Sequence, residues 1–158
     1  MSGTLIIAIG NPLRGDDGVA WHVVDELFHR DLPEGTCLLT VHQLLPELAQ
    51  DASEATRIIF IDASMEHQPG ETAVIELTQS PLDLSRGTHE LDPQGLLALT
   101  TRLFDRSPTA YLVAIGGKSF GFSESLSPVV EAAVPVAADL VVGLTQAIPG
   151  IVSPTPAG

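Results

Sequence analysis

The sequence is short of cysteine and short of positive charge. Cys37 is the only cysteine among 158 residues, which excludes an internal disulfide and a thiolate metal cluster. Its place in the apolar run Cys37-Leu38-Leu39 predicts a buried structural thiol. Seven Lys and Arg stand against 20 Asp and Glu, a net charge of −13. Such a chain is repelled by nucleic acid and by anionic membrane surfaces, and it attracts a basic partner. No basic stretch followed by an apolar run and a cleavage site opens the sequence, so no signal peptide is expected and the cytoplasm is the expected location. Charged residues are only 17% and hydrophobic ones 44%, which is not the composition of a disordered chain. The length fits one domain, expected over residues 1–148. The remaining "PGIVSPTPAG" lacks periodicity and is expected to be a flexible tail.

The rest of the chain alternates two patterns. Leu5-Ile6-Ile7-Ala8-Ile9 and Arg57-Ile58-Ile59-Phe60-Ile61-Asp62 are continuous apolar runs of strand length, as in strands covered on both faces. Thr36 to Val41 and Ala110 to Ile115 read as further strands. Thr72 to Leu77 alternates and follows a Pro69-Gly70 turn, which fits an antiparallel strand. Helical spacing places Ala20, Val23, Val24, Leu27 and Phe28 on one face between Gly18 and Arg30. A short helix is expected over Gln43–Ser53, with Pro46 in its first turn. Asp92-Pro93 opens another helix, aspartate as N-cap and proline at the first helical position. Ser127-Pro128 opens the last, which runs to about Ala147 with Pro135 inside it. Glu131, Asp139 and Pro135 argue against a membrane span, so a core helix is expected. These elements predict a single-domain, three-layer α/β fold. Its sheet is twisted, five-stranded and mostly parallel, with helices on both faces and one antiparallel strand.

Ligands in such folds sit beyond the carboxyl ends of the strands. Asp16, Asp17 and Asp62 are all expected on that rim. The turn Gly10-Asn11-Pro12-Leu13-Arg14-Gly15 lacks the central glycine of a dinucleotide fingerprint and the Lys and Ser/Thr of a phosphate loop. The two aspartates after it would also repel a phosphate. Either aspartate alone fits a helix N-terminus, but only one can occupy the N-cap, which leaves the other for the crevice. Asp62 can be a turn acid or a site residue. His22, His29 and His67 read as surface residues. His42 follows a strand and can approach the rim, and His89 lies in the polar loop from Ser80 to Glu90. Asp17, Asp62 and His89 together would make a set of two carboxylates and one imidazole with open coordination positions. No Ser/His/Asp spacing suggests a triad, and Cys37 is poorly placed as a nucleophile.

These residues resemble a known family. "IGNPLRGDDGVA", then "IIFIDAS", then the histidine of "GTHELDP" are similar to the hydrogenase maturation endopeptidases. "VHQLLPELA" and "SESLSPVVEAAVPVAADLV" extend the resemblance over about Leu5 to Val142. Ala20 stands where a glycine is common. The resemblance implies a five-stranded α/β fold. It also implies cleavage of a C-terminal extension from the large-subunit precursor of a nickel–iron hydrogenase, after nickel insertion. Carried over, the metal-contacting positions are Asp17, Asp62 and His89, and Asp16 becomes a cap, a support or a general base. The nickel would come with the precursor, with no permanently bound cofactor. The implied partner is that precursor, with no nucleic acid and no membrane, and the chain is expected to be a monomer. Two other readings use the same rim. One is a chaperone that holds the metal-bearing precursor without cutting it. The other is a metal-dependent hydrolase of a small amide, which would need a metal of its own.

Overall fold

The computed structural model describes residues 3–79 and 91–146. His89, the Ser80–Glu90 loop and the C-terminal tail lie outside the described residues. The elements are β1 (Thr4–Ile9), α1 (Val19–Leu27), β2 (Cys37–Val41), α2 (Leu48–Ser53), β3 (Arg57–Ser64), β4 (Thr72–Leu77), α3 (Pro93–Phe104), β5 (Thr109–Gly116) and α4 (Pro128–Gln146). They form one α/β domain whose sheet has the order β2-β1-β3-β5-β4. All pairs are parallel except β4 with β5, the antiparallel strand that the alternation of Thr72–Leu77 predicts.

The continuous apolar strands are buried on both faces. On one face, Ile6, Ile59, Ile61, Val113 and Ile115 pack with the apolar sides of α1 and α4. On the other, Leu5, Ile7, Ile58 and Phe60 pack with Ala49, Ala52, Leu96 and Leu97 from α2 and α3. Alternate residues of one strand feed both clusters, because successive side chains leave opposite faces. α4 is long and apolar enough to cross a membrane, yet it belongs to the core. Its Val130, Ala137, Ala138 and Val141 are fully buried. The buried Arg57 donates from Nη1 to the carbonyls of Leu144 and Thr145 near the end of α4, at 2.8 and 3.0 Å. There a cation meets the negative end of the helix dipole. Asp92 caps α3 as its sequence requires, accepting from the Gly95 N–H at 2.6 Å.

Three expectations need correction. Cys37 is exposed rather than buried, because it starts an outer strand that, among the described residues, has a neighbour on one side only. The helix expected over Gln43–Ser53 begins only at Leu48. Leu44 forms an isolated antiparallel bridge with Leu91, which keeps the backbone there extended. The first helix spans Val19–Leu27 rather than Gly18–Arg30, and a 3-10 turn over Gly15–Gly18 precedes it.

Candidate active site

The order β2-β1-β3 sets the site. The chain leaves β1 for β2 on one side and leaves β3 for β4 and β5 on the other. The switch point therefore lies between the carboxyl ends of β1 and β3, where connections diverge and open a crevice. Ile9 at the end of β1 is in register with Asp62, the last β3 residue paired with β1; β3 itself runs two residues beyond the expected end at Asp62, to Ser64, along β5. The segment after Ile9 carries Asp16 and Asp17.

That segment folds tightly on itself. Asn11 Oδ1 accepts from the Leu13 N–H at 2.9 Å, and the Arg14 and Asp17 N–H groups donate to the carbonyls of Asn11 and Arg14 at 3.0 and 3.1 Å. Gly10 has φ +157°, and a β-carbon there would collide with the Asp17 carbonyl oxygen. The close approach that needs glycine is thus to the protein's own turn. The Asn11 N–H donates to Asp17 Oδ2 at 2.9 Å. This bond fixes the half-buried Asp17 at the crevice.

Asp62 is half-buried as well. Burial raises its carboxyl, the Asp17 charge raises it further, and a hydrogen bond from the Ala63 N–H lowers it, leaving it pushed up to about 7. Two acids in one electrostatic environment resist double ionisation, and a cation relieves that repulsion.

Asp16 has a different task. Neither aspartate caps α1 through its side chain, and Gly18 holds the N-cap position. The cap expected of Asp16 is replaced by a clamp between distant segments. Its Oδ2 accepts from the N–H groups of Lys118 and Ser119, both at 2.8 Å, and from the Ser127 hydroxyl at 2.7 Å. Its Oδ1 accepts from the Ser127 N–H at 2.7 Å. Burial raises this carboxyl, but these bonds outweigh it and hold Asp16 below the usual carboxylate range. With both oxygens engaged by donors, Asp16 is a poor proton acceptor. The clamp ties the segment after β5 and the start of α4 to the aspartate turn. Leu13 and Gly15 add backbone bonds to Ser123 in the same place.

The other histidines separate. His42 is exposed and its ring lies 5.2 Å from that of Trp21. His22 is half-buried and His29 exposed. His67, expected at the surface, is half-buried instead. Its Nδ1 lies 2.8 Å from the Ser64 hydroxyl at the end of β3. Sequence reading missed this pair, whose only signal is a serine three residues before a histidine just past a strand. Among the described residues no group of three or more His, Cys, Asp or Glu side chains converges on one point.

No known family model matches the sequence, and no curated protein matches it. Solved structures do. The chain is similar to a hydrogenase 2 maturation peptidase from a Thaumarchaeota archaeon, at 31% identity and TM-score 0.68, over 89% of this chain and 96% of that one. It is similar to the NiFe hydrogenase maturation protease HybD from Thermococcus kodakarensis, at 26% identity and TM-score 0.70, over 90% and 99% of the two chains. It also shares the fold of the hydrogenase maturating endopeptidase HybD from Escherichia coli, at 24% identity and TM-score 0.70, over 89% and 90%. The chain belongs to the hydrogenase maturation protease family.

Proposed function

We propose that this chain is an endopeptidase that removes the C-terminal extension of the large-subunit precursor of a nickel–iron hydrogenase after nickel insertion. The observation that carries the reading is the pairing of Asp17 and Asp62 at the switch point of a fold shared with maturation proteases. In this reading nickel is cargo of the substrate. Asp17 meets it with a carboxylate held in place by the Asn11 N–H on Oδ2. Asp62 gives up its proton on meeting the cation, and His89 supplies the imidazole. Contact with a metal that only a loaded precursor carries makes the metal a specificity element, and it holds the adjoining peptide at the rim. Asp16 positions the turn that carries Asp17.

Purified chain mixed with the nickel-loaded precursor tests the reading. Mass spectrometry of the large subunit is expected to show loss of a C-terminal fragment. A precursor that stays bound at full mass would establish the chaperone reading instead. Nickel or zinc retained tightly by the chain alone would favour a small-amide hydrolase.

A further inference from the structure

A groove of about 480 Å³ lies beside the candidate active site. Leu13, Trp21 and Phe28 line it together with Leu38 and Thr40 of β2. Phe28 is 71% and Leu13 53% exposed, which makes this an apolar surface in contact with water.

The strand that forms one wall has an open edge. Among the described residues β2 pairs with β1 alone. Alternate residues of a strand turn their N–H and C=O groups to opposite edges. The Val41 carbonyl accepts from the Gly10 N–H on the β1 side, so those of Leu38 and Thr40 point outward. Outer strands are ordinarily guarded by charge, proline or a bulge. Cys37–Val41, with the sequence CLLTV, contains neither charge nor proline. An unguarded edge beside an apolar groove suits an extended peptide, whose main chain joins the sheet while alternate side chains fill the groove.

Continuity and charge choose the occupant. β1, β2 and β3 are parallel, so a chain lying along β2 reaches the rim that carries Asp17 and Asp62. Pro12 and Leu13, from the turn that holds Asp17, close the groove at that end. Asp25 and Glu124 also line it, and no Lys or Arg does. We propose that the β2 edge and this groove dock an extended segment of the large-subunit precursor. That segment places an apolar side chain against Phe28 and Leu13, and a Lys or Arg beside Asp25 and Glu124. The identity of the partner rests on the endopeptidase reading, and its seat on β2 is new.

The test is the steady-state cleavage of nickel-loaded precursor by the full chain, with kcat and KM separated. Thr40→Pro removes an outward N–H that has no acceptor among the described residues, a position where an outer strand tolerates proline. Phe28→Glu removes the apolar wall and sets a charge where the peptide's apolar side chain would pack. Each is expected to raise KM about tenfold with kcat little changed. Phe104→Glu, on the exposed end of α3, serves as the control and is expected to leave KM unaltered. Wild-type KM in both Thr40→Pro and Phe28→Glu would overturn the docking surface while leaving the endopeptidase reading intact. If Thr40→Pro lowers the unfolding temperature, Phe28→Glu alone decides. A wild-type chain that neither binds nor cleaves the precursor would overturn both.

Discussion

Asp17 and Asp62, 45 residues apart by their numbers, share one electrostatic environment, Asp17 in the turn that follows β1 and Asp62 in the neighbouring β3. Burial and the Asp17 charge together push Asp62 up to about 7. As the pH rises from about 3.8 to about 7, the unfolded chain releases this proton while the folded chain keeps it. Stability therefore falls across that window, by an amount on the order of 4 kcal/mol once Asp62 is ionised in both states. Asp62→Asn is expected to be more stable than the parent at pH 8 and little different at pH 4, and to cleave no precursor. Urea unfolding at the two pH values checks the first part. A stability difference that does not grow with pH would contradict the account.

Asp16 works in the opposite sense. Its carboxyl is held below the usual range, so its stabilisation is fully present above the ordinary carboxylate value and is lost as the pH falls through the depressed one. Asp16→Asn keeps the size but turns an amide N–H₂ toward donors. It is expected to cost roughly 2–4 kcal/mol and to slow cleavage by loosening the Asp17 turn. Thermal unfolding and kcat, measured on the same preparation, read both effects. Unchanged stability would mean that the clamp is unimportant.

Tyr111 is fully buried in the core, and its hydroxyl has no hydrogen-bond partner among the described residues. A buried polar atom without a partner carries its desolvation cost uncompensated. Tyr111→Phe is expected to raise stability by about 1–2 kcal/mol and to leave cleavage unaffected. A destabilised variant would show that the hydroxyl has a partner after all.

His89→Ala is expected to reduce cleavage of the nickel-loaded precursor by about 100-fold or more, with no change in unfolding temperature. Full activity in this variant would remove His89 from the site and leave the imidazole to be found elsewhere.

What was legible in the sequence was local. The runs before Ile9 and Asp62, the alternation of Thr72–Leu77 and the Asp92-Pro93 cap each declare themselves within a few residues, and each appears in the fold. The placement of Asp17 and Asp62 on one rim followed from strand ends in a parallel sheet. The clamp did not follow. Asp16 meets Ser127 across 111 positions, and no local pattern distinguishes it from an aspartate at a helix start. The exposure of Cys37 depends on strand order, which fixes β2 at the outside of the sheet. The late start of α2 depends on the bridge between Leu44 and Leu91, again a contact between distant segments. Hydrophobic periodicity carries burial and element type, but not which strand is outermost or which loop a carboxylate holds.

The central claim is that Asp17 and Asp62 read a metal that the substrate brings. The most direct measurement compares one precursor in two forms, nickel-loaded and nickel-free, and follows the mass of the large subunit with time. Cleavage of the loaded form alone, abolished in Asp17→Asn and in Asp62→Asn, is the predicted result. Equal cleavage of both forms would contradict it.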